Sequence, residues 1–191
     1  MSDRTPLLVL GLGNVLLEDD GLGVAAVSRL LDRYDVPPGA KVLDGGTLGL
    51  SLLPYLEDAD AVILVDAVRA DGPPGTLVRL DGDDVPAAIA TRLSVHQVGV
   101  ADLLEAARWL GSYPGRVVLL GVVPASMELG VRLTPAADAA LPGLVELVVA
   151  EARALGFPFV QRPTPTSATP NRWELAAWKL GVGRRPAKGR P

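Results

Sequence analysis

The sequence predicts a single α/β domain in which helices cover both faces of a mostly parallel sheet. Short apolar runs ended by glycine, proline or a charge are typical of buried strands. Stretches with apolar residues at helical spacing alternate with these runs along the chain, as expected for parallel strands joined by helices. The 191 residues, 49% of them hydrophobic, suffice for one sizeable core and not for two.

The first strand and the first helix are predicted at the start of the chain. Residues 6–12 form an apolar run that Gly13-Asn14 closes. Residues 21–34 then carry apolar side chains on one helical face: Val24, Val27, Leu31 and Tyr34. Because Pro37-Pro38-Gly39 cannot continue a helix, the first strand–helix unit ends there.

Further strands are predicted at residues 41–43, 61–65, 76–80 and 116–123, and further helices at 48–57, 98–110 and 135–155. Strand 76–80 is expected to be antiparallel or at an edge, because the turn-rich segment before it is too short for a parallel crossover. Residues 1–158 are assigned to the domain and residues 159–191 to a Pro-rich, flexible tail. A short docking helix at 173–180 is the alternative within that tail.

Composition excludes several classes of function. A net charge of −4 and a pI near 5.0 argue against a nucleic-acid partner, which requires a basic face. Since there is no cysteine, a disulfide framework, a thiol nucleophile and a zinc site with cysteine ligands are excluded. No apolar stretch is long enough to span a membrane, and a cytoplasmic location is expected.

The loop between the first strand and the first helix combines glycines with acids. It reads GLGNVLLEDDGLG over residues 11–23, where a dinucleotide fold would hold its phosphates. The third glycine of that fingerprint would fall at Leu16, and Glu18, Asp19 and Asp20 would repel a pyrophosphate. A dinucleotide site is therefore disfavoured. Asp20 is either a helix N-cap or a functional carboxylate, although capping does not explain three acids together.

Two further aspartates follow predicted strands. Asp66 closes the run 61–65, and Asp44 follows 41–43 just before Gly45-Gly46. The carboxyl ends of parallel strands form the edge at which open α/β folds bind ligands. The alternative for Asp66 is a structural side chain that hydrogen-bonds the next loop.

His96 is the only histidine of the chain. Ser94 and Gln97 have the spacing of a capping box, which would place His96 in the first turn of the next helix, within reach of the same sheet edge. A single histidine excludes an H-E-x-x-H protease, and no G-x-S-x-G motif presents a nucleophilic serine. Together with the aspartates, His96 makes a mixed oxygen and nitrogen set that suits zinc or nickel. Because this set is incomplete, further ligands are expected from the substrate.

Five ordered motifs between residues 7 and 155 resemble those of the hydrogenase maturation proteases, which process [NiFe] hydrogenase large subunits. They are GLGNVLLEDDGLGV at 11–24, DGGT at 44–47, Asp66 after its apolar strand, PGT at 74–76 and His96-Gln97. The resemblance implies a twisted, mostly parallel five-stranded sheet of the phosphorylase/hydrolase-like kind. It also implies a nickel site made by Asp20, Asp66 and His96.

The resemblance further implies an activity. Members of this family remove the C-terminal extension of the large-subunit precursor after nickel insertion, so the expected partner is that precursor, and nickel is supplied by it or shared with it. The metal would polarise the scissile carbonyl or activate water, or it would only position the peptide while Asp66 or Asp44 acts as general base. A protein that holds the nickel-loaded precursor without cleaving it, and a nucleotide-dependent enzyme, are the alternatives. Ala125 stands where an acidic residue is common in the family, which bears on substrate choice.

Overall fold

A five-stranded sheet forms the centre of the computed structural model, which describes residues 5–82, 84–85 and 95–163, without the side chains of 95–99. The strands in chain order are β1 (Thr5–Leu12), β2 (Tyr34–Asp35), β3 (Ala40–Gly46), β4 (Ala59–Ala67), β5 (Leu77–Asp81), β6 (Arg116–Val122) and β7 (Val160–Gln161). The sheet order is β3-β1-β4-β6-β5. Four strands are parallel, and β5 pairs antiparallel with β6 at one edge, as predicted.

Helices cover both faces of the sheet, which confirms the predicted fold class. They are α1 (Leu22–Arg33), α2 (Leu53–Glu57), α3 (Val95–Trp109) and α4 (Pro135–Ala154). Alternate strand residues face opposite sides, so Leu7 and Val9 pack under α1 and α4, whereas Leu8 and Leu10 pack under α2 and α3. In the part of the chain described, no helix is both long and apolar enough to cross a membrane.

Three differences from the predicted element boundaries affect the candidate site residues. Strands β3 and β4 continue past the apolar runs, so Asp44 and Asp66 lie inside strands instead of after them. The extension follows from the pairing of Asp44 with Gly11 and of Asp66 with Gly121, because a ladder of backbone hydrogen bonds tolerates a polar side chain. Helix α3 begins at Val95 and so includes His96.

The chain returns to the domain after α4. Strand β7 pairs with β2, and Phe159 is 3% exposed in the core beneath α1 and α4. Arg162 Nε donates to Asp35 Oδ1 at 2.7 Å, and its Nη1 donates to the Leu31 carbonyl at 2.8 Å. Residues 159–162, which the prediction places in the tail, therefore pack against the domain. The remainder of the predicted tail, including 173–180, lies outside the described residues.

A charged cluster attaches the edge strand β5 to α4. Arg79 Nε and Nη2 donate to the Glu151 carboxylate at 2.8 and 3.1 Å, and Nη1 donates to Asp81 at 2.8 Å. The hydrogen bonds to Glu151 and then to Asp81 raise the pKa of the Arg79 guanidinium above its ordinary value. Charged side chains along an edge strand also discourage pairing with another chain.

Candidate functional site

Glycines allow the turn that carries Asp20 to pack closely against the carboxyl ends of β1 and β4. The chain leaves β1 through Gly13, whose φ is 116°, and forms a 3₁₀ turn at Glu18–Gly21 before α1. A Cβ on Gly13 would lie 1.7 Å from the backbone oxygen of Asp20, and a Cβ on Gly23 would lie 2.0 Å from that of Val65. The glycines of this loop therefore serve close backbone packing.

Asp20 and Asp66 are among the buried carboxylates of this edge. Their exposed fractions are 0% and 1%, and the turn that carries Asp20 contacts β4, which carries Asp66. The Asn14 amide donates to Asp20 Oδ2 at 2.9 Å, and the Ala67 amide donates to Asp66 Oδ1 at 2.7 Å. Burying carboxylates is costly unless they are paired, hydrogen-bonded or bound to a metal, so two of them at one strand edge mark a candidate site.

The N-cap interpretation of Asp20 is wrong, because the N-cap of α1 is Gly21. The 3₁₀ turn before α1 shifts the start of the helix past Asp20, which instead accepts a hydrogen bond from the Asn14 amide. For Asp66, the hydrogen bond from Ala67 within its own strand orients the carboxylate and is compatible with either a structural or a functional role.

Asp19 has a structural role that the sequence did not reveal. Its carboxylate accepts hydrogen bonds from the amides of Ala125, Ser126 and Thr134 at 2.8, 3.3 and 2.7 Å, and from the Thr134 hydroxyl at 2.8 Å. These bonds fix the segment between β6 and α4 to the turn that carries Asp20. The only sequence signal was the run of three acids, which helix capping does not explain.

Asp44 lies apart from Asp66. It is exposed on β3, and its register partner Gly11 separates it from Val65 on β4. Two strand spacings put the backbones of β3 and β4 about 10 Å apart. Side chains alternate along strands, so Asp44 shares the α1 face with Val65, whereas Asp66 shares the α3 face with Leu64. The structure therefore brings Asp20 and Asp66 together but does not add Asp44 to Asp66.

The backbone of His96 lies in the first turn of α3, as predicted, but its side chain and Ser94 lie outside the described residues. Helix α3 has 15 residues and rises about 22 Å, roughly the height of the sheet. It ends near the start of β6, because only residues 110–115 connect Trp109 to Arg116. Its first turn therefore lies towards the carboxyl edge, and its Leu103 and Leu104 pack on the face that Asp66 shares.

The donor chemistry at this edge fits a divalent cation only in part. Asp20 and Asp66 offer carboxylate oxygens held by backbone amides, the kind of outer-shell support that ligating carboxylates receive. Among the described side chains, which do not include His96, no three His, Cys, Asp or Glu residues are grouped to hold a metal ion. A complete coordination sphere thus requires ligands beyond this pair.

The comparisons with known proteins agree on one family. A family model described as hydrogenase maturation protease matches residues 24–151, which include Asp44, Asp66 and His96. The hydrogenase 2 maturation protease of Escherichia coli K12 is 40% identical over 157 residues, which cover 82% of this chain and 96% of the relative. The hydrogenase expression/formation protein HupD of Rhodobacter capsulatus is 43% identical over 153 residues, or 79% of this chain and 73% of the relative.

Solved structures give the same result. The hydrogenase maturating endopeptidase HybD from E. coli superposes with a TM-score of 0.79 at 40% identity, covering 82% of this chain and 98% of that one. The [NiFe] hydrogenase maturation protease HybD from Thermococcus kodakarensis superposes with a TM-score of 0.64 at 27% identity, covering 77% and 99%. The chain is a peptide-bond hydrolase and belongs to the hydrogenase maturation protease family.

Proposed function

We propose that this endopeptidase removes the C-terminal extension of a [NiFe] hydrogenase large-subunit precursor after nickel insertion. The observation that supports this most directly is the pair of buried, amide-oriented carboxylates of Asp20 and Asp66 at the carboxyl edge of the sheet. Relatives with 40% identity carry names that specify hydrogenase maturation. From those names we infer that the substrate of this chain is a [NiFe] hydrogenase precursor.

In this proposal, Asp20, Asp66 and His96 bind the nickel that the precursor carries, so nickel enters as part of the substrate. Two carboxylates and one imidazole suit a borderline divalent ion, and they leave coordination positions for ligands of the precursor. Bound nickel would supply Lewis-acid polarisation of the scissile carbonyl or hold the peptide in place. Recognition through an incomplete ligand set restricts cleavage to precursor that already holds its metal.

The proton transfers fall to the carboxylates of this chain. A general base accepts a proton from the attacking water, whose oxygen adds to the scissile carbonyl, and that proton later passes to the leaving amine. Where nickel only positions the peptide, Asp66 suits the role of general base better than Asp44. Asp66 is buried beside the turn that carries Asp20, whereas Asp44 is exposed and lies on the opposite face of the sheet. Burial excludes competing water and strengthens the interaction with the developing charge.

The test incubates the purified full chain with nickel-loaded and nickel-free large-subunit precursor and follows loss of the extension by intact mass. We expect cleavage of the nickel-loaded form alone. Equal cleavage of both forms would contradict nickel recognition, and tight binding without cleavage would favour the precursor-holding alternative.

A further inference from the structure

A groove of about 390 Å³ opens at the carboxyl ends of β4 and β6. Arg69 and Ala70 line one side, and residues 123–127 line the other. The two walls leave the sheet side by side, since Ala67 pairs with Val122 and the Val68 amide donates to the Val122 carbonyl at 2.9 Å. A volume at the lower end of the usual range for binding pockets, about 300–1,000 Å³, has room for a few side chains of a peptide.

Both walls of the groove are joined to the elements that carry the carboxylate pair. Asp66 stands three residues before Arg69, on the strand from which the first wall emerges. The second wall is fixed by Asp19, which accepts hydrogen bonds from the amides of Ala125 and Ser126 and directly precedes Asp20. A peptide whose scissile bond lies at Asp20 and Asp66 therefore has this groove as an adjacent channel.

Among the described residues that line the groove, Arg69 is the only charged one. Its neighbours there are apolar apart from Ser126, whose hydroxyl accepts a hydrogen bond from the Glu128 amide. Arg69 is exposed, and within the described part of the chain no carboxylate forms an ion pair with it. A guanidinium beside small apolar side chains favours a carboxylate, which it can bind through two parallel hydrogen bonds.

We propose that this groove binds the precursor segment that flanks the scissile bond, and that Arg69 determines specificity by pairing with a carboxylate of that segment. The inference rests on the proposed function and adds a specificity-determining residue to it. The carboxylate has two sources, an Asp or Glu side chain or the C-terminal carboxylate of the extension, which the experiment separates.

The experiment measures kcat and KM for nickel-loaded precursor with the wild type, Arg69→Glu and Arg69→Lys. Loss of a charge-assisted pair is expected to lower kcat/KM of Arg69→Glu by about 10- to 100-fold through KM, with kcat nearly unchanged. Arg69→Lys keeps the positive charge but loses the planar guanidinium, so its kcat/KM should lie between those of the wild type and Arg69→Glu. Arg153→Glu is the matched control, because Arg153 is an exposed arginine in the last turn of α4 and does not line the groove.

Charge reversal identifies the partner. Acidic residues of the flanking segment are changed to lysine one at a time, and a neutral residue is appended to the C-terminus in a separate precursor. If one lysine substitution in the precursor restores the kcat/KM of Arg69→Glu, the partner of Arg69 is the side-chain carboxylate at that position. If the appended residue instead lowers the kcat/KM of the wild type and leaves that of Arg69→Glu unchanged, the partner is the terminal carboxylate of the extension.

Two outcomes separate this inference from the proposed function. If the wild type cleaves the precursor and Arg69→Glu has the same kcat/KM, the groove inference is wrong and the proposed function stands. If the wild type does not cleave, the proposed function fails, and the precursor Kd then tests the groove. Equal Kd for wild type and Arg69→Glu would overturn the inference, and weaker binding confined to Arg69→Glu would support it.

Discussion

Adjacent buried acids in one turn perform different tasks at the residue scale. Asp19 and Asp20 are both essentially unexposed, but successive residues of a 3₁₀ turn point about 120° apart. Asp19 therefore meets the segment before α4 and accepts four hydrogen bonds from it, while Asp20 belongs to the edge beside β4. Asp19, with its four donors, therefore stabilises the structure around the site, and Asp20 is proposed to bind the nickel of the substrate.

Asp66→Asn is expected to lower processing by about 10²- to 10⁴-fold, the range for loss of a catalytic base. The fold should persist, because the side-chain oxygen of asparagine still accepts the hydrogen bond from the Ala67 amide. Cleavage of nickel-loaded precursor and urea unfolding are the two measurements. Asp58→Asn, an exposed site at the C-cap of α2, is the control and should process normally. Normal processing by Asp66→Asn would refute the assigned role.

Asp19→Asn is expected to lower the free energy of unfolding by about 2–4 kcal/mol. An asparagine amide would point a donor at amides that now donate to Asp19, and each unsatisfied buried group costs about 1–3 kcal/mol. Urea unfolding of Asp19→Asn and wild type measures the difference. An unchanged free energy of unfolding would show that the hydrogen bonds to Asp19 contribute nothing net.

At the element scale, the shape of the site depends on how closely the start of α1 approaches the sheet. Gly23 packs its Cα against Val65 and Leu12, and Gly121 does the same beneath the backbone of Asp66. A side chain at either glycine would separate elements that must touch for Asp20 and Asp66 to share an edge. The glycine-rich loop thus resembles a phosphate-binding fingerprint in composition but serves backbone packing.

Gly23→Ala is expected to destabilise the domain by several kcal/mol and to reduce processing as well. Its Cβ would fall 2.0 Å from the Val65 oxygen and 2.4 Å from the Leu12 oxygen, so α1 must shift and carry Asp20 with it. Thermal or urea unfolding and the cleavage assay measure both effects.

Gly143→Ala in α4 is the matched control for Gly23→Ala. Its nearest contact would be a flexible Leu77 methyl at 3.3 Å, and alanine is the better helix former by about 1 kcal/mol. We expect stability within about 1 kcal/mol of the wild type. Equal effects of the two substitutions would contradict a special packing role for Gly23.

At the scale of the whole molecule, the chain closes on itself after α4. Residues 159–163 return to β2 and the end of α1, so Phe159 completes the core on the face of α1 and α4. Arg162 secures this return through Asp35 and the Leu31 carbonyl. The C-terminal end of helix α4 is thereby attached to the domain, in addition to the packing of α4 on β6.

A chain ending at residue 158 is expected to be less stable than one ending at 163 by about 2–4 kcal/mol. Burial of one Phe side chain contributes about 1.5–3 kcal/mol, and a largely exposed ion pair such as Arg162–Asp35 adds at most about 1 kcal/mol. Urea unfolding of the two truncated chains measures the difference. Equal midpoints and slopes would show that the β2–β7 pairing is dispensable.

Most of the fold was predictable from local pattern. Apolar runs and helical spacing are short-range properties, so the central strands, the antiparallel edge strand and the helices on both faces agree with the prediction. The predicted ends of the strands before Asp44 and Asp66 were wrong, because backbone pairing with a neighbouring strand decides where a strand ends and hydropathy does not. The return of residues 159–163 was missed since its partners lie more than 120 residues away in the chain.

The sequence by itself determined the fold class, the family and the residues that carry candidate chemistry, because periodicity and motif spacing are written in chain order. Only the tertiary structure decided how those residues are sorted. Asp20 and Asp66 lie at one buried edge of the sheet, and Asp44 lies on the opposite face from Asp66. Asp19 forms hydrogen bonds with the segment before α4. The physical reason is that strand pleat, turn geometry and close glycine packing fix the direction of a side chain, and these depend on contacts between distant segments.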